Sequence, residues 1–78
     1  MWFVYILKCS NGSFYTGCTT DIARRIKEHN SNKIHYTRDK TPVSLISYVA
    51  FTDKYKAFEF EKYLKSGSGF AFRNRHLI

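Results

Sequence analysis

Apolar and polar positions fall in blocks along the chain, and the blocks predict six elements. Trp2-Phe3-Val4-Tyr5-Ile6-Leu7 is an unbroken apolar run of branched and aromatic residues. Such a run reads as a strand covered on both faces, hence central in its sheet. Ser10-Asn11-Gly12-Ser13 is a hairpin signal, and Phe14 to Cys18 reads as the returning strand. Thr19-Thr20-Asp21 offers N-cap oxygens to a helix running to about Asn30. Ser31 to Pro42 is polar and basic and reads as a loop, and Val43 to Phe51 is a third strand. Thr52-Asp53 caps a second helix, Lys54 to about Lys65. Ser66-Gly67-Ser68-Gly69 breaks that helix, and Phe70 to Ile78 forms a last short one, anchored by Phe70, Phe72, Leu77 and Ile78. The expected fold is α/β in content, of α+β type. It is one domain over residues 1–78, with a three-stranded antiparallel or mixed sheet flanked by helices in the order β-β-α-β-α-α.

The hairpin admits two loop lengths with opposite consequences. A two-residue Asn11-Gly12 loop pairs Ser10 with Ser13 and sends Tyr5 and Tyr15 to opposite faces, because side chains alternate along a strand. A three-residue Ser10-Asn11-Gly12 loop, with Gly12 left-handed in a bulge, pairs Cys9 with Ser13. Tyr5 then sits opposite Gly17, and both tyrosines share a face. Propensity slightly favours the first, but a joint role for the tyrosines requires the second, which is the expectation adopted.

Helical wheels place the remaining polar groups. On the first helix Ile22, Ala23 and Ile26 define the buried side, Arg25 and His29 border it, and Arg24, Lys27 and Glu28 point toward water. On the second, Glu61 falls within an apolar stripe among Ala57, Phe58 and Leu64, whereas Glu59 faces solvent. A carboxylate so placed needs a partner. It reads either as a structural ion pair with Lys65 or an arginine, or as a metal ligand or partner of Arg25.

Composition narrows the function classes. Thirteen Lys and Arg against six Asp and Glu give a net charge of +7, which favours a polyanionic partner, nucleic acid first. Within the 31–42 loop, basic residues surround Tyr36, a pattern that suits a phosphate backbone and an unstacked base as well as it suits a solvated connection. Cys9 and Cys18 lie in predicted strands and read as reduced, buried thiols of a cytoplasmic protein. No CxxC or HxxxH spacing suggests zinc. No signal peptide and no apolar run of spanning length are visible, so a membrane role is not expected.

Four elements, in order and at matching spacing, resemble the GIY-YIG endonucleases, and the small single-domain bacterial type in particular. Phe3-Val4-Tyr5 stands at the first tripeptide and Tyr15-Thr16-Gly17 at the second. Asp21 to His29 is similar to the family's arginine helix, and Ala57 to Lys65 to its A-x3-E-x3-K element. The first tripeptide lacks its Gly and Ile, and Thr16 replaces Ile in the second, while both tyrosines and the arginine are kept.

The resemblance implies metal-dependent hydrolysis of a DNA phosphodiester, with RNA also open as substrate. It implies Glu61 holding one Mg²⁺ or Mn²⁺, Arg25 contacting a nonbridging phosphate oxygen, and Tyr5 as general base with Tyr15 orienting water or phosphate, or the two exchanged. His29 would relay a proton or bind phosphate, or be a partly buried helix-end residue. A phenol has an ordinary pKa of about 10, so a base near neutral pH needs a neighbouring cation, for which Arg25, Lys8 or the metal are candidates. Lys8, Lys33, Tyr36, Arg38, Lys65 and Arg73 are the expected nucleic-acid contacts, and Asn74 a loose match to a late family Asn. No small-molecule cofactor is implied. The alternatives are a catalytically weak nucleic-acid-binding module, and a domain docking on a larger repair or recombination partner.

Overall fold

The computed structural model describes residues 1–78. β1 (Trp2–Lys8), β2 (Phe14–Thr19) and β3 (Ser44–Phe51) form one antiparallel sheet in the order β2-β1-β3. The unbroken apolar run is therefore the middle strand, as its pattern requires. α1 (Ile22–Asn30) follows β2, and α2 (Lys54–Leu64) and α3 (Gly67–His76) follow β3. The order is β-β-α-β-α-α and the sheet has no parallel pair.

Alternation along β1 divides the core in two. Tyr5 and Leu7, with Cys9 just past the strand end, pack with Val43, Tyr15 and the Ile22 and Ile26 side chains of α1. Val4 and Ile6 point the other way, onto Ala57 and Leu64 of α2 and the partly buried Phe72 and Leu77. The sheet thus lies between α1 on one face and the α2–α3 pair on the other. No helix is long and apolar enough to cross a membrane.

The helix starts follow their caps. Asp21 accepts from the Arg24 amide, Asp53 from the Tyr55 and Lys56 amides, and Ser66 Oγ from the Gly69 amide. The last cap moves the start of α3 back to Gly67, three residues before the expected Phe70. Serine and glycine look like a break, yet Ser66 caps and the glycines are helical. Gly69 is required there, because any Cβ on it would run into the Tyr63 carbonyl of α2. Two expected anchors, Phe70 and Ile78, are exposed. Ala23 is also exposed, because only the 22-26-29 stripe of α1 reaches the sheet. Cys9 is buried and Cys18 half-buried, both as free thiols.

The two helical glycines of the α2–α3 corner should respond oppositely to alanine. Gly67 has open space around it, so Gly67→Ala should stabilise the chain by up to about 1 kcal/mol in urea unfolding. Gly69→Ala must push two helices apart and should cost about 1–3 kcal/mol or more in the same measurement.

Candidate active site

The hairpin loop sets the geometry. Gly12 has φ of 86°, the left-handed region open to glycine, and its amide donates to the Cys9 carbonyl at 3.0 Å. Cys9 N donates to Ser13 O at 2.8 Å, closing the three-residue loop. Tyr5 consequently pairs with Gly17, and Tyr5 and Tyr15 share the α1 face with ring centroids 6.2 Å apart. The Tyr5 hydroxyl lies over Gly17, where a Cβ would displace it.

Three side chains from three segments form a buried hydrogen-bonded row. The Tyr5 hydroxyl is 3.1 Å from His29 Nε2, and His29 Nδ1 is 2.6 Å from Thr37 Oγ1. Tyr5 is 1% exposed, and His29 and Thr37 are 0% exposed. His29, expected at a border of its helix, is the one buried residue of α1. Burial, then the nearby Arg25 charge, lowers its pKa, against a smaller opposing effect of Glu28. It is therefore a neutral imidazole near pH 7.

Tyr5 moves the other way. Burial raises its pKa first and Tyr15 adds to this; Arg25 pulls it down, and Glu61 pushes it up. Of the cations expected to bring this phenol toward neutrality, Arg25 acts in that sense but is outweighed by desolvation. The same balance shows that Arg25 and Glu61 both lie within electrostatic reach of the Tyr5 hydroxyl. Glu61 comes from the helix on the opposite face, and it also raises the pKa of Cys18 after the larger effect of burial.

Arg25 Nε is buried without a hydrogen-bond acceptor; its ion-pair partner, Glu28 Oε1, is 3.6 Å away. A buried unpaired donor is costly and calls for an acceptor that arrives with a ligand. Glu61 is less enclosed than its wheel suggested. Its side chain is 24% exposed, and Oε2 accepts from Lys65 Nζ at 2.9 Å, with Lys65 55% exposed. A pair this open contributes about 0–1 kcal/mol and yields readily to a stronger cation. No three His, Cys, Asp or Glu side chains converge anywhere in the structure. A metal here would rest on one carboxylate, water and substrate oxygens, which suits Mg²⁺ better than zinc.

The 31–42 segment packs over this row. Tyr36 lies against Tyr15 at 5.3 Å between centroids, and Lys40 Nζ sits 3.9 Å above the Tyr36 ring. Tyr15 in turn contacts the His29 ring edge to face at 4.9 Å. Beyond Tyr15 opens a cleft of about 380 Å³, reached by Tyr36, Lys65 and Arg73.

The GIY-YIG catalytic domain model matches residues 1–74. The chain belongs to the GIY-YIG family. It is 44% identical over 61 residues to the UPF0213 protein Reut_B5558 of Cupriavidus pinatubonensis, covering 77% of this chain and 68% of that one. It is 47% identical over 66 residues to the UPF0213 protein DP2720 of Desulfotalea psychrophila, 82% of this chain but 60% of the relative's length. Among solved structures, the solution NMR structure of the UPF0213 protein BH0048 from Bacillus halodurans matches with a TM-score of 0.55 and 44% identity, over 91% of this chain and 80% of that one. Membership places the chain in a nuclease superfamily, whose substrates are nucleic acids.

His29 and Tyr15 thus lie directly beside the Tyr5 hydroxyl or its ring, and Arg25 and Glu61 lie within its electrostatic reach. Of the expected nucleic-acid contacts, Tyr36, Lys65 and Arg73 share the cleft. Lys33 lies instead in a separate depression with Arg24 and Lys27, while Lys8 and Arg38 are exposed outside both. Asn74 holds the Arg73 guanidinium through Oδ1 at 3.0 and 3.2 Å. Sequence reasoning missed Thr37 and Lys40. Neither has a periodic or motif signal; adjacency to Tyr36 was the one hint.

The buried imidazole makes stability pH-dependent in a definite direction. An unfolded histidine titrates near 6.5, whereas folded His29 resists protonation to lower pH. Below about 6.5 the unfolded chain therefore binds a proton that the folded chain does not, and stability falls as pH drops. Urea midpoints measured from pH 7.5 to 5 should decline, and His29→Gln should flatten that decline.

Proposed function

We propose that this protein is a metal-dependent endonuclease hydrolysing DNA phosphodiesters, with Tyr5 as the general base acting through His29. One observation carries the reading: the Tyr5 hydroxyl is bonded to His29 and lies in the fields of both Arg25 and Glu61. These groups supply the residue types that the reaction needs: a base, a proton acceptor, a cation for phosphate and an acid that could hold a metal.

At rest Tyr5 is a phenol and His29 is neutral. In the productive tautomer, His29 Nδ1–H donates to Thr37 Oγ1 and leaves Nε2 as acceptor for the Tyr5 hydroxyl. As water attacks phosphorus, its proton passes to the Tyr5 oxygen while the phenolic proton passes to His29 Nε2. No free phenolate forms, which answers the difficulty of a desolvated tyrosine. The imidazolium that results is disfavoured by Arg25 alone, but the negative charge growing on the phosphate offsets that repulsion. Arg25 donates to a nonbridging oxygen, giving its unpaired Nε an acceptor. Tyr15, between His29 and the cleft, orients the phosphate. Glu61, released from Lys65, would hold one Mg²⁺ or Mn²⁺, which when bound neutralises phosphate charge and eases departure of the 3′ oxygen.

Cleavage of plasmid and oligonucleotide DNA should require Mg²⁺ or Mn²⁺ and stop on chelation. Glu61→Gln and Arg25→Gln should each lower the rate by roughly 100-fold or more with unfolding midpoints little changed. Binding without product in Mn²⁺, or rates in both variants unchanged from that of the unsubstituted chain, would replace this reading with that of a nucleic-acid-binding module. Thr37→Val should lower kcat and move the acid limb of its pH profile, while Thr37→Ser retains both. An unchanged profile in Thr37→Val would remove the relay.

A further inference from the structure

The second arginine of interest is Arg73, on α3. It is 9% exposed, yet no carboxylate pairs with it; the ion pairs of the structure are Arg25–Glu28 and Glu61–Lys65. Its guanidinium carbon lies 4.1 Å from the Phe70 ring centroid and 5.4 Å from that of Phe14. Nε and Nη2 both donate to the neutral Asn74 oxygen, which leaves Nη1 without a protein acceptor. The rings and the amide that hold the guanidinium carry no negative charge, and Nη1 is not sealed off from solvent, so an anion entering from the cleft would meet a cation already held in place.

The surroundings say where the anion would come from. Arg73 and Lys65 line the same cleft, and no Asp or Glu lines it. Arginine flanked by aromatic faces presents its remaining donors edge-on, in the fork geometry that matches a phosphate. The cleft adjoins the hydrolytic row through Tyr15, which touches both His29 and Tyr36, and through Lys65, which bonds Glu61. A strand that reached from Arg25 across Tyr15 would enter the cleft that Arg73 lines.

We propose that Arg73 forms a second phosphate subsite, which binds the phosphodiester flanking the reacting one and fixes the register of the strand across Tyr15. Asn74 is its positioning residue: it orients the fork and leaves Nη1 free for the ligand. Exposed Phe70, which looked like a core anchor by sequence, is one wall of this subsite. The proposal deepens the nuclease reading and rests on it for the identity of the strand, but its test needs no turnover.

Binding of a short labelled single-stranded oligonucleotide is measured in chelator across a salt series, in the Glu61→Gln background. Arg73→Gln should weaken binding about 10-fold at low salt, equally for different sequences, and reduce the slope of log affinity against log salt by about one contact. Arg73→Lys should retain the slope and lose only part of the affinity. An unchanged slope in Arg73→Gln overturns the subsite and leaves Arg73 as a packing residue. Because Arg73→Gln removes a buried side chain, the unsubstituted chain supplies an independent reading. Titration with a dinucleotide carrying a 5′ phosphate should shift the Arg73 Nε–H resonance, and a resonance that stays put overturns the subsite. Loss of Glu61→Gln's effect on cleavage, with Arg73 still governing the salt slope, would sink the nuclease reading alone. Absence of any oligonucleotide binding would remove both.

Discussion

Everything in this structure depends on one left-handed glycine. With Gly12 in that region, the first hairpin closes over three residues and Tyr5 faces Gly17. A loop one residue shorter would turn Tyr15 away to the α2 face and leave Tyr5 without its neighbour. Gly17 completes the arrangement, since its missing side chain is the space the Tyr5 hydroxyl occupies. Two glycines thus decide which side of a small sheet holds the chemistry, and α1 then lays Arg25 and His29 over that side.

Fold and site were legible to different degrees. The central strand, the hairpin register and the helix caps follow from local rules, because each rests on neighbouring residues: an apolar run, a glycine-bearing turn, an acid before a helix. The start of α3 was hidden, because Ser66 to Gly69 has the composition of a break, and only the Tyr63 carbonyl packed on Gly69 explains a glycine in a helix there. Glu61 was found by its misfit in an apolar stripe, but the stripe proved narrow, and Lys65 already engages the acid at the surface. Thr37 could not have been found. Its role comes from folding back onto His29, eight residues away across a loop with no periodicity. Arg73 could be counted as basic but not recognised as buried, because the rings that hold it come from opposite ends of the chain.

The electrostatics of the row are more informative than its membership. Burial pushes the Tyr5 phenol up and the His29 imidazole down, so both are neutral, and the proton between them is held by a hydrogen bond rather than by charge. That is a poor arrangement for a standing phenolate and a good one for passing a proton at the moment charge develops elsewhere. In the proposed relay Thr37 accepts from Nδ1 and so leaves Nε2 free to receive it. Arg25 opposes a charged His29, and its Nε has no acceptor of its own, as the proposed contact to a phosphate oxygen requires.

The most direct test of this account is the tautomer of His29, read from the long-range proton–nitrogen correlation spectrum of the folded protein at neutral pH. The account predicts a neutral ring with its proton on Nδ1, facing Thr37, and an unprotonated Nε2 facing Tyr5. A ring protonated on Nε2, or an imidazolium at that pH, would contradict it.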